Sequence, residues 1–306
     1  MAVTAAQVKE LREMTGAGMM DCKKVLVETD GDIDKAIDLL REKGLSKAAK
    51  KAGRIAAQGL VRTAFSDDRK HAAVIEVNSE TDFVAKNDEF ISFVDNLAKL
   101  ALESDAADME TFMGLPFEDG TVKDALNNKI AKIGENMNIR RFEKCDEDGV
   151  VYTGYIHGGG TIGVIVGIKT EASADEINTC AKDVAMQVAS MRPQFLDESS
   201  VDQAYLEHEK EILKQEVLNE GKKPEMVDRI VEGKVKKELK EVCLVDQKFV
   251  KDSDMSVKQY VDSVAKEAGK EMSIASFVRF EVGEGIEKKE EDFAAEVAAQ
   301  QAAAKK

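Results

Sequence analysis

The 306-residue sequence predicts an α+β fold. Its expected parts are an N-terminal three-helix module, a duplicated α+β core with antiparallel sheets, an inserted antiparallel coiled-coil hairpin and a C-terminal helix. Three observations carry that expectation. Some segments repeat apolar residues at i, i+3, i+4 and i+7, and others are short β-rich runs, so both periods are present. The order strand, strand, helix, helix, strand recurs. A segment dominated by Glu, Lys, Leu and Val interrupts the second copy. A chain of this length also exceeds one small core, so several domains are expected.

Residues 1–54 read as the three-helix module and a basic linker. Thr4 with Gln7 makes a capping-box signature ahead of Val8 and Leu11. TGAG (Thr15 to Gly18) breaks that helix, and Cys22, Val25 and Leu26 share the next helical face. Asp32 is placed as N-cap of a third helix bearing Ile33, Ala36, Ile37 and Leu40, which Gly44 is expected to end. Residues 55–146 form the first core half. LVRTAF and HAAVIEV read as strands across an SDDRK turn, and Asn87 caps a helix whose stripe is Phe90, Phe93, Val94, Leu97 and Ala101. Thr121 starts a helix carrying Val122, Leu126, Ile130 and Ile133, and MNIRRFE reads as a strand.

Residues 147–196 and 247–283 form the second half. VVYTGYIH and TIGVIVGI are strands, Ser173 caps a helix with Ile177, Ala181, Val184 and Val188, and SVKQYVDSVAKEAG precedes the strand MSIASFVRFEV. The closing strands of the halves resemble each other: Met137-Asn138-Ile139 then Arg141-Phe142-Glu143, against Met272-Ser273-Ile274 then Arg279-Phe280-Glu281. Residues 197–246 are the inserted hairpin. Tyr205 with Ile212 and Leu206 with Leu213 repeat at seven, GKKP turns the chain, and Val227, Val231, Val235 and Leu239 return. Residues 284–306 are expected to hold a docking helix, with Phe293 and Val297 on its first turns.

Composition narrows the function. A net charge of -15 disfavours tight non-specific binding to nucleic acid or anionic membrane and favours a basic protein patch. Lys47, Lys50, Lys51 and Arg54 form a local basic run, but no aromatic residues interleave to stack bases, so a solvated linker is the preferred reading. No signal-peptide pattern or run of eighteen apolar residues occurs, which points to the cytosol. Cys22, Cys145, Cys180 and Cys243 lie too far apart for a zinc-type pair and read as buried thiols.

No catalytic motif survives its context test. GGGTIG leads into a strand rather than a helix, so Gly158, Gly160 and Gly163 read as a hairpin turn. HGGG lacks a GxSxG partner, His208 fails HExxH at Ile212, and no phosphate-loop pattern exists. His71, His157 and His208 make no local ligand set. No enzymatic activity, cofactor or metal is expected.

One stretch resists a bland account. VNSETDFVAKNDEF sets Asp82-Phe83 between a strand and a helix, where a connecting loop would show both to solvent. Phe83 is not a hydrophobic staple, because Asn87 as N-cap puts Lys86 at that position. Either Phe83 folds back on Phe90 or the sheet edge, or it is a wedge that enters a partner's pocket with Asp82 beside it.

The chain resembles the bacterial elongation factor Ts family. The resemblance rests on VKELREMTGAGMMDCKKVL (Val8 to Leu26), GDIDKAI, KAAKKAG, EVNSETDFVAKN, AKIGENMNIRR (Ala131 to Arg141) and RFEVGEGIEK (Arg279 to Lys288). It spans nearly the whole length, and Thr81-Asp82-Phe83-Val84 matches the family signature. It implies a ubiquitin-associated-like N-terminal module and guanine-nucleotide exchange on elongation factor Tu, met both GDP-bound and nucleotide-free. By the same resemblance, Phe83 is the wedge, Asp82 perturbs the partner's Mg²⁺ surroundings, and Thr81 and Val84 shape the loop. Arg12, Met19 and Met20 match residues that touch the partner's nucleotide domain. His157 matches a histidine on its phosphate-loop side, although Gly158-Gly159-Gly160-Thr161 is more glycine-rich than the family pattern. The hairpin is similar to the family's coiled-coil or dimerisation element, which makes a homodimer an expected partner. A scaffold that binds the translation factor without exchange is the competing expectation.

Overall fold

The computed structural model describes residues 3–15 and 17–287. The expected C-terminal helix, with Phe293 and Val297, lies outside the described residues. The fold is α+β. Helices α1 (Ala5–Thr15), α2 (Met19–Glu28) and α3 (Ile33–Ala49) pack around Leu11, Cys22, Leu26 and Ala36, all fully buried. The caps form as their residue types dictate. Gln7 N–H donates to Thr4 Oγ1 at 3.3 Å while Thr4 N–H reaches Gln7 Oε1 at 3.0 Å, and Asp32 accepts from Lys35 N–H at 3.1 Å. The expected stop at Gly44 does not occur. One glycine costs a helix only about 1 kcal/mol against alanine, and here tertiary packing outweighs it. The last turns of α3 lie against a later helix, and Ala48 is buried in the core of the first half.

The first half follows: β1 (Gln58–Phe65), β2 (Ala72–Ser79), α4 (Asp82–Ala85), α5 (Asp88–Glu103), α6 (Met109–Met113), β3 (Pro116–Phe117), β4 (Gly120–Thr121), α7 (Val122–Ile133) and β5 (Met137–Cys145). The motif-free interval before α7 is not an open loop. It holds α6 and the β3–β4 hairpin, buries Phe112, and sets Phe117 edge-on to Phe93 at 5.9 Å. The second half runs β6 (Val150–His157), β7 (Ile162–Thr170), α8 (Ala174–Met191), α9 (Gln203–Asn219), α10 (Pro224–Val242), β8 (Lys248–Phe249), β9 (Asp252–Ser256), α11 (Val257–Ala268) and β10 (Met272–Glu281).

The duplication is visible in the sheets. Each has three antiparallel strands with the second in the middle: β1-β2-β5, and β6-β7-β10. Each closing strand follows a left-handed glycine cap, Gly134 or Gly269. The two sheets face each other, and helices cover both outer faces. Ala73, Ile75 and Val77 of β2 point to α5, while Ala72 and Val74 meet Tyr152, Ile165 and Phe280 of the other sheet. Every residue of β2 is therefore buried, as expected for a strand covered on both faces. Two glycines permit the close approach of the sheets. A Cβ at Gly154 would sit 2.5 Å from Phe65 Cζ, and one at Gly163 would sit 2.3 Å from Val61 Cγ1.

Two buried polar side chains of β2, Glu76 and Asn78, interrupt the apolar layer. Glu76 is fully buried and accepts from Arg141 Nε at 2.7 Å, Gly283 N–H at 2.8 Å, Asn78 Nδ2 at 3.0 Å and Arg140 Nη1 at 3.1 Å. Arg141 also stacks over the Phe280 ring at 4.2 Å. The first half is thus clamped to the chain leaving β10.

The insertion is an antiparallel helical hairpin. Its seam is Leu206, Leu213 and Val217 against Val227, Val231, Val235 and Leu239. Of the two expected repeats at seven, Leu206 and Leu213 face the seam. Tyr205 instead packs its ring on Phe195 at 5.0 Å, and Ile212 is exposed.

Candidate functional site

The stretch after β2 is a helical turn rather than a loop. Thr81 has extended backbone, and its Oγ1 accepts from Val84 N–H at 3.4 Å, which makes it the N-cap of α4. Asn87 then caps α5, accepting from Glu89 N–H at 2.8 Å and Phe90 N–H at 3.3 Å. Two caps six residues apart leave room for one turn. That turn has an inner and an outer side: Val84 and Ala85 enter the first-half core, while Asp82 and Phe83 face out.

Phe83 is 81% exposed. It does not fold back onto Phe90, which overturns that alternative. Burying a Phe is worth roughly 1.5–3 kcal/mol, and the fold forgoes that stabilisation here. Asp82 accepts from Lys86 Nζ at 2.6 Å, and this hydrogen bond holds its carboxyl below the usual range. An exposed pair of this kind adds little to stability and is easily exchanged for another partner.

Sequence reading gave no role to the residues that brace the turn. Glu135 accepts the Thr81 N–H on Oε2 at 3.0 Å and the Thr81 hydroxyl on Oε1 at 2.7 Å. Glu80 accepts the Asn136 N–H and reaches Arg54 Nη1 at 3.4 Å, while Asn136 Nδ2 donates to the Arg54 carbonyl at 2.7 Å. The available signal was that Glu135 and Asn136 lie within AKIGENMNIRR. Their partners are far away in sequence, so no local pattern could reveal the pairing.

The other sequence-predicted residues sit apart from this turn. Arg12 is exposed on the last turn of α1, and Met19 and Met20 are exposed at the start of α2. Met14 joins them as a third exposed methionine that sequence reading passed over. His157 ends β6 and is exposed, with Nδ1 3.0 Å from the Tyr155 hydroxyl. The glycines after it have φ of 57°, 69° and 116°, a left-handed run that glycine adopts without strain. Gly160 also lies where a Cβ would come within 2.2 Å of Arg62 Nη1, and its carbonyl accepts the Val61 N–H at 2.7 Å. The glycine-rich departure is therefore what lets the His157 turn close onto β1. No hydrogen bond or ring contact among the described residues joins the Phe83 turn, the methionine face and His157. They lie on different elements: α4, the start of α2 and the end of β6.

A groove of about 420 Å³ lies between α2, α3 and the α7 region, bordered by Met14, Gly18, Arg41, Asp119 and Lys129. Several of its charged groups are already engaged: Lys129 and Lys132 both reach Glu89 Oε1, at 3.0 and 2.9 Å, and Arg41 reaches the Asp119 carbonyl at 3.4 Å. Among the described residues, no group of three or more His, Cys, Asp or Glu is placed to hold a metal ion. No described helix is long and apolar enough to cross a membrane.

The family model described as Elongation factor TS matches residues 80–284. The chain is 56% identical over 298 residues to an elongation factor Ts of Clostridium novyi (strain NT), covering 96% of this chain and 97% of that one. It is 55% identical over 299 residues to that of Clostridioides difficile (strain 630), covering 97% and 98%. It is 52% identical over 299 residues to that of Clostridium botulinum (strain Alaska E43 / Type E3), covering 97% and 99%. With a family match over more than half its length and relatives aligned nearly end to end, the chain belongs to the elongation factor Ts family and so to the elongation factors of protein biosynthesis.

Proposed function

We propose that the chain binds elongation factor Tu in the cytoplasm and promotes release of GDP and its exchange for GTP. The observation that carries this reading is Phe83: a large ring, 81% exposed, on a turn whose leading residues Glu80 and Thr81 are tied to Asn136 and Glu135. A ring held out in solvent gains its burial energy only in a complex. If the pocket it enters exists in the nucleotide-free partner and is closed by the Mg²⁺–GDP arrangement, that energy is differential and weakens GDP binding by linkage. A thousandfold weakening requires about 4 kcal/mol. Ring burial supplies up to about 3 kcal/mol, and the remainder falls to Asp82 and the other contacts.

In this scheme Thr81 and Val84 hold the turn, and Asp82 exchanges Lys86 for a donor near the partner's ion. Arg12, Met19 and Met20 grip the partner's nucleotide domain, and methionine suits a surface that must adapt. His157 contacts the phosphate-loop side. The division of labour follows the chain: residues 1–54 recruit, residues 55–146 carry the wedge, and residues 147–196 and 247–283 carry His157. Residues 197–246 offer Ile212, Leu218 and Met226 for self-association into a homodimer, and residues 284–306 dock. No covalent step is needed, so the protein acts as an exchange factor rather than as an enzyme with its own substrate chemistry, and the nucleotide and Mg²⁺ belong to the partner.

Calorimetric titration of the chain into nucleotide-free and into GDP-loaded elongation factor Tu tests the reading. The nucleotide-free form should bind at least a hundredfold more tightly, about 2.7 kcal/mol. Equal affinity for both forms would show a scaffold, because a ligand indifferent to two states shifts neither.

A further inference from the structure

We propose that Glu135 is a positioning residue for the exchange turn, acting through Thr81 to fix the direction in which Phe83 projects. The proposal rests on the reading of Phe83 as the group that acts on the partner. A four-residue helix cannot sustain itself, since nucleating one turn is unfavourable. Something outside α4 must hold it, and the carboxylate of Glu135 is placed to do so. Oε1 takes the Thr81 hydroxyl proton at 2.7 Å, and Oε2 takes the Thr81 N–H at 3.0 Å. Once the hydroxyl proton is committed to Glu135, the lone pairs of Oγ1 are left for the Val84 N–H, the capping bond that starts α4. Glu135 thus sets the polarity of the cap as well as its position.

Glu135 is itself fixed by both neighbours. Gly134, with φ of 93°, ends α7 and turns the chain. Asn136 is 8% exposed and is tied by its N–H to Glu80 and by its side chain to the Arg54 carbonyl. The bracing is reciprocal. Glu80 reaches from the turn to Asn136, and Glu135 reaches back to Thr81, so two consecutive residues of the β2–α4 passage and two of the α7–β5 passage lock each other. Phe83 lies two residues beyond the locked cap. Without Glu135 the first residue of the turn regains backbone freedom, which must be lost again each time the ring is seated in the partner.

The test is a double-mutant cycle on GDP release from elongation factor Tu, using the full chain as native protein, Glu135→Ala, Phe83→Ala and the double variant. Glu135→Ala should slow stimulated release about five- to thirtyfold, the equivalent of re-ordering one residue. In the Phe83→Ala background the same change should cost almost nothing, because there is no ring left to aim. A general structural support would slow release by the same factor in both backgrounds, and that result would overturn the proposal, as would full activity of Glu135→Ala while Phe83→Ala is impaired. Full activity of Phe83→Ala would overturn the wedge reading and this proposal with it. Glu135→Gln keeps the size of the side chain and removes its charge. It serves as the folding control: a smaller loss of the same kind with an unchanged melting temperature supports positioning, and a native release rate contradicts it.

Discussion

Replacing Glu76 by alanine should destabilise the protein by about 3 kcal/mol. The side chain is fully buried between the sheets and takes four donors, from Arg141, Gly283, Asn78 and Arg140. Removing one partner of a buried ion pair costs about 3–5 kcal/mol. Two features bring the figure to the lower end. The Arg140 and Arg141 side chains are 25% and 32% exposed, so water reaches them, and Arg141 keeps Glu284 at 2.9 Å. Against that, the Gly283 N–H loses its acceptor in a buried site, worth about 1–3 kcal/mol alone. Urea unfolding followed by circular dichroism measures the change. With a slope near the upper end of about 1–3 kcal/mol per molar, the midpoint should fall by about 1 M. A loss under about 1 kcal/mol would refute the account of Glu76 as the clamp between the halves.

The same residue gives a pH signature. Burial by itself would raise the Glu76 carboxyl, but the Gly283 N–H, the Asn78 amide and Arg141 outweigh it and hold the group below the ordinary glutamate value of 4.5. A group whose folded-state pKa is lowered contributes stability that is full above its unfolded pKa and is lost as pH falls through the folded one. The native protein should therefore lose stability more steeply below pH 4.5 than Glu76→Gln does. Parallel curves would contradict this assignment.

Two further outcomes are expected. Phe83→Ala should leave unfolding stability within about 0.5 kcal/mol of native, because the ring is 81% exposed and supports nothing in the free protein. A drop above about 1.5 kcal/mol in urea titration would mean that the ring packs in solution. The four cysteines are unpaired and buried, and burial pushes the thiols up, to about 12 at Cys145 and about 11 at Cys180 and Cys243. Ellman's reagent at pH 8 should label the native protein slowly and the denatured protein at all four sites, and rapid labelling of the folded chain would refute their inertness.

Elements with a sustained period were legible in the sequence. The α5 stripe from Phe90 to Ala101 and the recurrence of Met137 and Met272 at the start of closing strands are enough to indicate the duplicated α+β core. The failures share a cause, in that long-range partners decided the outcome. Gly44 reads as a stop by propensity, yet packing on α7 carries α3 past it. Tyr205/Ile212 and Leu206/Leu213 have the same spacing and differ by one residue, so only the facing helix selects the seam. Glu76 reads as an ordinary polar position in a strand, because its partners Arg141 and Gly283 lie 65 and 207 residues away. In the site itself, the exposed Phe83 was legible as an anomaly. The brace was not, since Glu135 is 54 residues from Thr81 and a single helical turn has no period to detect.

The most direct test of the central claim is release of a fluorescent GDP analogue from elongation factor Tu, chased with excess unlabelled GDP, under catalytic amounts of native protein or Phe83→Ala. The account predicts rapid release with the native chain and at least about a tenfold slower release with Phe83→Ala, the loss of roughly 1.4 kcal/mol or more of differential ring burial, while the variant still binds the partner. Release at the spontaneous rate with native protein that demonstrably binds, or undiminished release with Phe83→Ala, would contradict it.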